Sequence, residues 1–262
     1  MMVFMEIIDT HCHLDFEVFD TDREQVIQDA RDVGLAGIVV PGTHQQGWKN
    51  LLFVCEAHDA LYPAIGLHPM FLKQHKESDL GLLEQTIEQT RPIAIGEIGL
   101  DARDSELDMD KQLFYFEQQL VIAQEKGLPV ILHILKAHDQ ALSLLKKNPV
   151  TGGTVHAFNG SLQQAQQYIE LGFKLGFGGM LTYERSSRLR KLAAGLPLES
   201  IVLETDAPDM TVSQYQYERN SPAYLVYCLE ALAEARNEAS EVIAAQTTKN
   251  AISIFKLDKH KQ

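Results

Sequence analysis

The sequence predicts a single (β/α)8 TIM barrel spanning residues 1–262. Three observations lead there. Short apolar runs alternate with amphipathic helical stretches eight times along the chain. Four times a helix is closed by glycine and followed by an apolar run, at Gly34, Gly127, Gly172 and Gly195. No composition break or Pro/Ser-rich linker divides the 262 residues, a length usual for such barrels. A doubly wound open sheet is the alternative. No glycine-rich phosphate loop follows the first strand, which weighs against it.

In order, Met5-Glu6-Ile7-Ile8 reads as the first strand, running into Asp9-Thr10-His11-Cys12-His13-Leu14-Asp15. A helix is expected from Thr21, whose hydroxyl would cap while Glu24 closes a capping box, up to Gly34. Ala36–Pro41 is continuous in apolar residues, as a strand covered on both faces should be. Gln46–Asp59 reads as helix, Tyr62–Leu67 as strand, Ser78–Thr90 as helix and Pro92–Glu97 as the fourth strand. A long loop, Ile98–Asp110, carries Asp101, Arg103, Asp104, Glu106 and Asp108. The next helix shows Leu113, Phe116, Leu120 and Ala123 on one stripe and stops at Gly127. Pro129–His133 is strand five, Ala137–Lys147 a helix and Gly153–Ala157 strand six. Ser161 with Gln164 repeats the capping-box chemistry for a helix ending at Gly172. Phe173–Phe177 is strand seven, Tyr183–Ala194 a helix and Ile201–Thr205 strand eight. A loop with Pro208 and Arg219 leads to Ser221-Pro222, a cap followed by proline at the first helical position. Ser240–Phe255 is the final helix, before a charged end.

In such a barrel all strands open their C-terminal ends on one face. Alternation puts Asp9, His11 and His13 on one side of the first strand and Thr10 and Cys12 on the other. Strand four then contributes Glu97, strand five His133, strand six His156 and strand eight Asp206. Alone, His133 or His156 reads as a satisfied core histidine. Six such groups in one register each need a partner, and a metal centre supplies it for all. Six ligands exceed what one tetrahedral zinc uses and suit two divalent cations. Glu97 is the candidate bridge; His11, His13 and Asp206 would hold one ion, His133 and His156 the other. A water between the ions would be the nucleophile. Asp206 would take or orient its proton, so Asp206 and Glu97 are the candidate catalytic residues. Zn, Mn, Co or Ni fit this donor mixture, Mg less well.

Further residues carry weaker signals. Glu204, two before Asp206, is placed to orient the metal ligands from behind, or to make a structural salt bridge. His68, in Gly66-Leu67-His68-Pro69, is placed to contact a phosphate or stands as a loop histidine. Arg219 is a candidate phosphate clamp, with loop anchoring as the other reading. Trp48, Tyr215 and Tyr217 are candidates for base stacking or for packing.

The formal charge of −13 is unusual for a nucleic-acid binder, so bound metal would have to supply positive charge locally if the substrate is a phosphodiester. Three cysteines, Cys12, Cys55 and Cys228, show no regular spacing, which argues against a disulfide framework and fits a reducing cytosol. Met1–Ile8 lacks the features of a signal peptide and no run has membrane-spanning length; a cytoplasmic location, no membrane contact and no obligate protein partner are expected.

The stretches Asp9–Asp15, Gly66–Pro69, Ala94–Asp101, Leu128–His133, Val155–Gly160, Leu203–Pro208 and Arg219-Asn220 together resemble those of the TatD-related metal-dependent hydrolases, amidohydrolase-like barrels that include deoxyribonucleases. The resemblance spans almost the whole chain. It implies the same six metal ligands and the hydrolysis of phosphodiesters, DNA ends foremost, in the manner of a 3′→5′ exonuclease. Two positions depart from the family pattern. Leu135 stands where an arginine is usual, with Lys136 beside it as a substitute point charge for substrate binding. Ala102-Arg103 replaces the aromatic common after Gly-Leu-Asp. The alternatives are a hydrolase of small-molecule amides or esters on the same architecture, and a non-catalytic metal-binding barrel.

Overall fold

The computed structural model describes residues 5–103 and 106–257. Asp104 and the charged end beyond Leu257 lie outside the described residues. The strands are β1 (Ile7–Asp9), β2 (Leu35–Pro41), β3 (Leu61–Ile65), β4 (Ala94–Asp101), β5 (Val130–Leu135), β6 (Gly153–His156), β7 (Phe173–Phe177) and β8 (Ile201–Leu203). They pair in chain order, every neighbour parallel. That order excludes the doubly wound sheet, whose strand sequence reverses at a switch point. The barrel closes where β8 returns to β1. Thr10 N donates to Leu203 O at 3.0 Å, Asp206 N to His11 O at 2.8 Å and His13 N to Ala207 O at 2.8 Å.

The helices between strands are α1 (Arg23–Asp32), α2 (Trp48–Glu56), α3 (Ser78–Thr90), α4 (Met109–Lys126), α5 (His138–Lys147), α6 (Leu162–Glu170), α7 (Ser187–Gly195) and α8 (Leu225–Arg236); α9 (Ser240–Phe255) ends the chain. The capping chemistry explains several boundaries. Ser161 and Gln164 form the reciprocal box at α6, Asp108 accepts from Lys111 N at the start of α4, and Gly127 closes α4 at φ 65°. The box expected at Thr21 and Glu24 does not form. The helix α1 begins at Arg23 with Asp22 in the cap position, and the Asp22 carboxylate is taken by Arg219 instead.

Apolar packing divides into two clusters. One lies between strands and helices. The other fills the barrel's N-terminal end with Ile8, Val39, Ala64, Ala94, Ile131 and Val202, plugged by Ala251 and Phe255 of α9 and by Leu257. Phe255 is 1% exposed, a burial that contributes about 1.5–3 kcal/mol. Asn250 donates to Leu198 O and Ile201 O, fixing α9 beneath β8. With that end closed by apolar side chains, the buried polar groups gather at the other.

One strand differs instructively from expectation. The fourth strand does not stop at Glu97; β4 continues to Asp101, and its pairing with β5 shifts register between Ile95 and Ile98. Glu97 therefore sits inside the strand, at an irregularity that aims its side chain into the barrel, and its N–H reaches across to Gly42 O at 2.8 Å. The segment from Tyr183 is also shorter as α-helix than expected: a 3₁₀ turn over Glu184–Ser186 precedes α7.

Candidate metal centre

Six residues carried by five strands or the turns that follow them meet in the barrel mouth, and Glu97 stands at the middle. Its carboxylate, 2% exposed, places Oε2 3.1 Å from His11 Nε2 and 3.6 Å from His13 Nε2. Its Oε1 lies 2.9 Å from His133 Nδ1 and 3.2 Å from His68 Nε2. Asp206 repeats the arrangement: Oδ1 is 3.6 Å from both His11 and His13, and Oδ2 is 3.5 Å from His156 Nε2. The residues resolve into three ligand groups: His11, His13 and Asp206; His11, Glu97 and His156; and His68, Glu97 and His133. No group joins His133 to His156, whose rings are 6.4 Å apart, so the simple division of ligands expected from the sequence is modified. His156 stacks on His11 at 3.7 Å instead.

Tautomers follow from the outer partners. His13 Nδ1 faces Pro41 O at 3.1 Å and must carry its proton there, leaving Nε2 bare toward the pocket. That bare nitrogen lies 3.3 Å from His11 Nε2, with two carboxylate oxygens close by. Two imidazole nitrogens and two carboxylates so arranged are a donor set for a divalent cation. His156 presents Nδ1 to Glu204 Oε1 at 3.0 Å and Nε2 to the pocket. His68 differs: its Nδ1 accepts from Met70 N at 3.0 Å, so Nε2 bears hydrogen and donates inward. It suits an anionic oxygen better than a cation. Among the described residues the buried His11 Nδ1 and Glu204 Oε2 have no hydrogen-bond partner, and His156 Nδ1 meets Glu204 Oε1 as an ion pair rather than as an aligned hydrogen bond.

Electrostatics agree with a cation site. Burial alone would raise Glu97, but the surrounding imidazoles, His68 and His11 foremost, hold its carboxyl well below the usual range. Asp206, opposed by burial but drawn down by His156, His11 and His13, falls to about 2. His133 is disfavoured as a cation by burial, yet Asp101 and Glu97 raise it to about 9. His156 is raised well above its ordinary value because Glu204 and Asp206 outweigh burial. Burial lowers His68 to about 4 despite Glu97. Backbone strain clusters here too: Lys136, Ala157 and Asp206 follow β5, β6 and β8 with φ of 56°, 43° and 59°.

Other residues take places the sequence left open. Glu204 supports His156 and accepts from Ala157 N at 2.6 Å. It lies against β7, and a Cβ at Gly176 would meet its Oε2 at 2.1 Å, so any side chain there would push the Glu204 carboxylate from its place. Asp9 does not join the cluster. Its carboxylate accepts from His11 N, Thr205 N and Thr205 Oγ1, stapling β1 to β8. Arg219 does not face the pocket as a phosphate clamp. Its guanidinium binds both Asp22 oxygens at 3.0 and 2.6 Å, donates to Val18 O at 2.8 Å and lies 4.7 Å over Phe19. Lys136 is exposed at the end of β5. Trp48 is buried, bonded to Gly66 O, and Tyr215 stacks on Tyr224 at 4.1 Å; only Tyr217 of the three aromatics is freely exposed.

Asp101, Gln112 and Gln119 were not legible as site residues. Asp101 Oδ2 lies 3.4 Å from His133 Nε2. Gln112 of α4 grips the Asp101 backbone like a neighbouring strand, accepting from its N–H at 2.7 Å and donating to its C=O at 3.0 Å. Two turns on, Gln119 does the same for Leu67, beside His68, at 2.7 and 3.2 Å. The available signal was two glutamines at positions 112 and 119, in helical register with Phe116 and Ala123 on a buried face.

A family model described as TatD related DNase matches residues 8–256. The chain is 39% identical over 251 residues to the uncharacterized metal-dependent hydrolase YjjV of Escherichia coli K12, covering 95% of this chain and 97% of that one. It is 32% identical over 247 residues to the 3′-5′ ssDNA/RNA exonuclease TatD of Pantoea sp. At-9b, covering 91% and 95%. The crystal structure of Escherichia coli YjjV superposes with a TM-score of 0.92 at 39% identity, covering 95% and 98%. A TatD-family hydrolase structure from Entamoeba histolytica gives 0.83 at 21% identity over 95% and 97%, a likeness of fold. Barrel, cluster and sequence agree, and the chain belongs to the TatD-related DNase family of metal-dependent hydrolases.

Proposed function

We propose that this protein is a phosphodiesterase holding two divalent cations and removing nucleotides from the 3′ end of single-stranded DNA or RNA. The observation that carries the reading is Glu97, a buried carboxylate with one oxygen toward His11 and His13 and the other toward His133. His11, His13, Glu97, His133, His156 and Asp206 would hold the cations. When bound, they would supply Lewis acidity at the phosphoryl oxygens and lower the pKa of the attacking water. The chain's own residues would do the rest. Asp206, ionised far below neutral pH, accepts a hydrogen bond from the water and orients it, too weak a base to retain the proton. His68 offers its Nε2–H to a non-bridging oxygen. Glu204 keeps the His156 ring in line from behind. Lys136 offers a point charge at the rim, where a fork is usual in the family. The exonuclease names of relatives such as that from Pantoea support the choice of a nucleic-acid end.

The test is hydrolysis of a 5′-labelled oligothymidylate by protein loaded in turn with Mn, Co, Ni and Zn, beside a panel of small amides and carboxyl esters. Shortening from the 3′ end, lost by at least about 10³-fold in Glu97→Gln and Asp206→Asn, is expected. Turnover of amides with the nucleic acid left intact would overturn the reading.

A further inference from the structure

The chain carries a net charge of −13, so a polyanion needs a local route of positive charge to the mouth. One segment stands against the trend. Between residues 184 and 191, Glu-Arg-Ser-Ser-Arg-Leu-Arg-Lys, four cations meet one carboxylate. Arg190 is engaged, bonded to Leu181 O and Glu234. Arg185, Arg188 and Lys191 recur every third residue, all exposed, and none has an ion-pair partner among the described residues. Arg185 places its guanidinium 4.8 Å over the half-buried ring of Tyr183, a cation–π contact that holds it at the surface.

The segment belongs to the mouth. It follows β7, whose C-terminal end opens beside β8. A Cβ at Gly178 would strike Glu204 O at 2.7 Å, so the loop starts against the residue behind His156. Tyr183 OH donates to Thr211 O at 3.1 Å, and Ser213 N to Thr182 Oγ1 at 2.8 Å. These bonds bind the rim of β7 to the loop that begins at Asp206. The helix α7 begins at Ser187, so its positive N-terminal end lies within this segment.

We infer that Tyr183, Arg185 and Arg188 form a docking track for the body of a single-stranded nucleic acid whose end lies in the metal centre. The inference rests on the phosphodiesterase reading and adds to it the place where the uncleaved strand lies. Arg185 and Arg188 take backbone phosphates, and the Tyr183–Arg185 pair gives a base a surface that does not read sequence.

Binding decides it. Fluorescence anisotropy with a labelled 20-nucleotide oligothymidylate, on metal-free protein in chelator across a salt series, compares wild type with Arg185→Ala/Arg188→Ala. A control pair, Lys146→Ala/Lys249→Ala, removes equal charge from the last turn of α5 and from α9. Two lost phosphate contacts should flatten the slope of log affinity against log salt by about 1.4 and weaken binding about tenfold near 0.1 M salt. The control should leave both unchanged. Hydrolysis of bis(p-nitrophenyl) phosphate, too small to reach the track, should stay within about twofold while KM for the oligonucleotide rises by about the same tenfold. An unchanged slope, or an equal change in the control pair, overturns the track. A wild type that cleaves neither substrate would refute the phosphodiesterase reading alone, because the anisotropy series needs no turnover.

Discussion

Metal binding by this protein should compete with protons at His133, and Asp101 should set the terms. His133 faces Glu97 Oε1 with Nδ1 at 2.9 Å and Asp101 Oδ2 with Nε2 at 3.4 Å. Burial opposes its charge, but the two carboxylates prevail and its pKa stands at about 9. In the metal-free protein it is therefore an imidazolium at neutral pH, and a cation can bind there only after that proton leaves. At pH 7 about one molecule in a hundred has lost it, a handicap of about 2.7 kcal/mol on metal affinity at 1.36 kcal/mol per pH unit. Raising the pH removes the handicap, so affinity should climb about tenfold per unit from pH 7 to 9 through His133 alone. His156, also raised, adds to the slope. In Asp101→Asn one of the two carboxylates is gone. The His133 pKa should fall toward its ordinary value, and the slope should flatten by about one. The linked stability has the opposite sense: the raised pKa stabilises the metal-free fold below about pH 6.5 and loses that contribution as pH rises through about 9. Calorimetric titration with Mn²⁺ in two buffers of different ionisation heat counts the protons released. Affinity that is flat between pH 7 and 9, with no proton release in wild type, would refute the reasoning.

Three other outcomes are expected. Stripping metal with chelator should lower the melting temperature. Saturation at a thousandfold over Kd contributes about 4 kcal/mol. An unfolding entropy of about 2.1 cal/mol/K per residue over 262 residues turns that into roughly 7 °C by scanning calorimetry. In Gly176→Ala the new methyl must displace Glu204 from behind His156, so chelator competition should show metal affinity reduced about 10- to 100-fold. Arg219→Ala should cost about 1–2 kcal/mol in urea unfolding, from its ion pair with Asp22 and its stacking on Phe19, and leave kcat/KM within about threefold; a loss of activity without a loss of stability would restore it to substrate binding.

Much of the site could be located from the sequence because a parallel barrel converts position along a strand into position in space. His11, His13, His156 and Asp206 each fall at or just beyond the C-terminal end of an apolar run, His133 lies two residues before the end of β5, and the architecture sends all such ends to one mouth. Glu97 reached the same place by another route. Its strand runs on to Asp101, and the register shift after Ile95 turns the carboxylate inward. Alternation placed Asp9 with His11 and His13, but backbone pairing at the β1–β8 seam leaves Thr205 N–H in need of an acceptor, and Asp9 supplies it. Arg219 looked like a phosphate clamp because its partner, Asp22, lies 197 positions away in sequence.

The order of strands and helices, the closed-barrel class and the list of imidazoles and carboxylates at the mouth were determined by the chain alone. These depend on local periodicity and on a rule of topology that any eight-unit barrel obeys. Which nitrogen of His13 or His68 is bare, how Glu97 and Asp206 divide their oxygens, and how Gln112 and Gln119 hold Asp101 and Leu67 were decided only by the tertiary structure. Those facts depend on contacts between residues far apart in sequence, at distances of a few ångströms, where a shift of one hydrogen bond changes a donor into an acceptor.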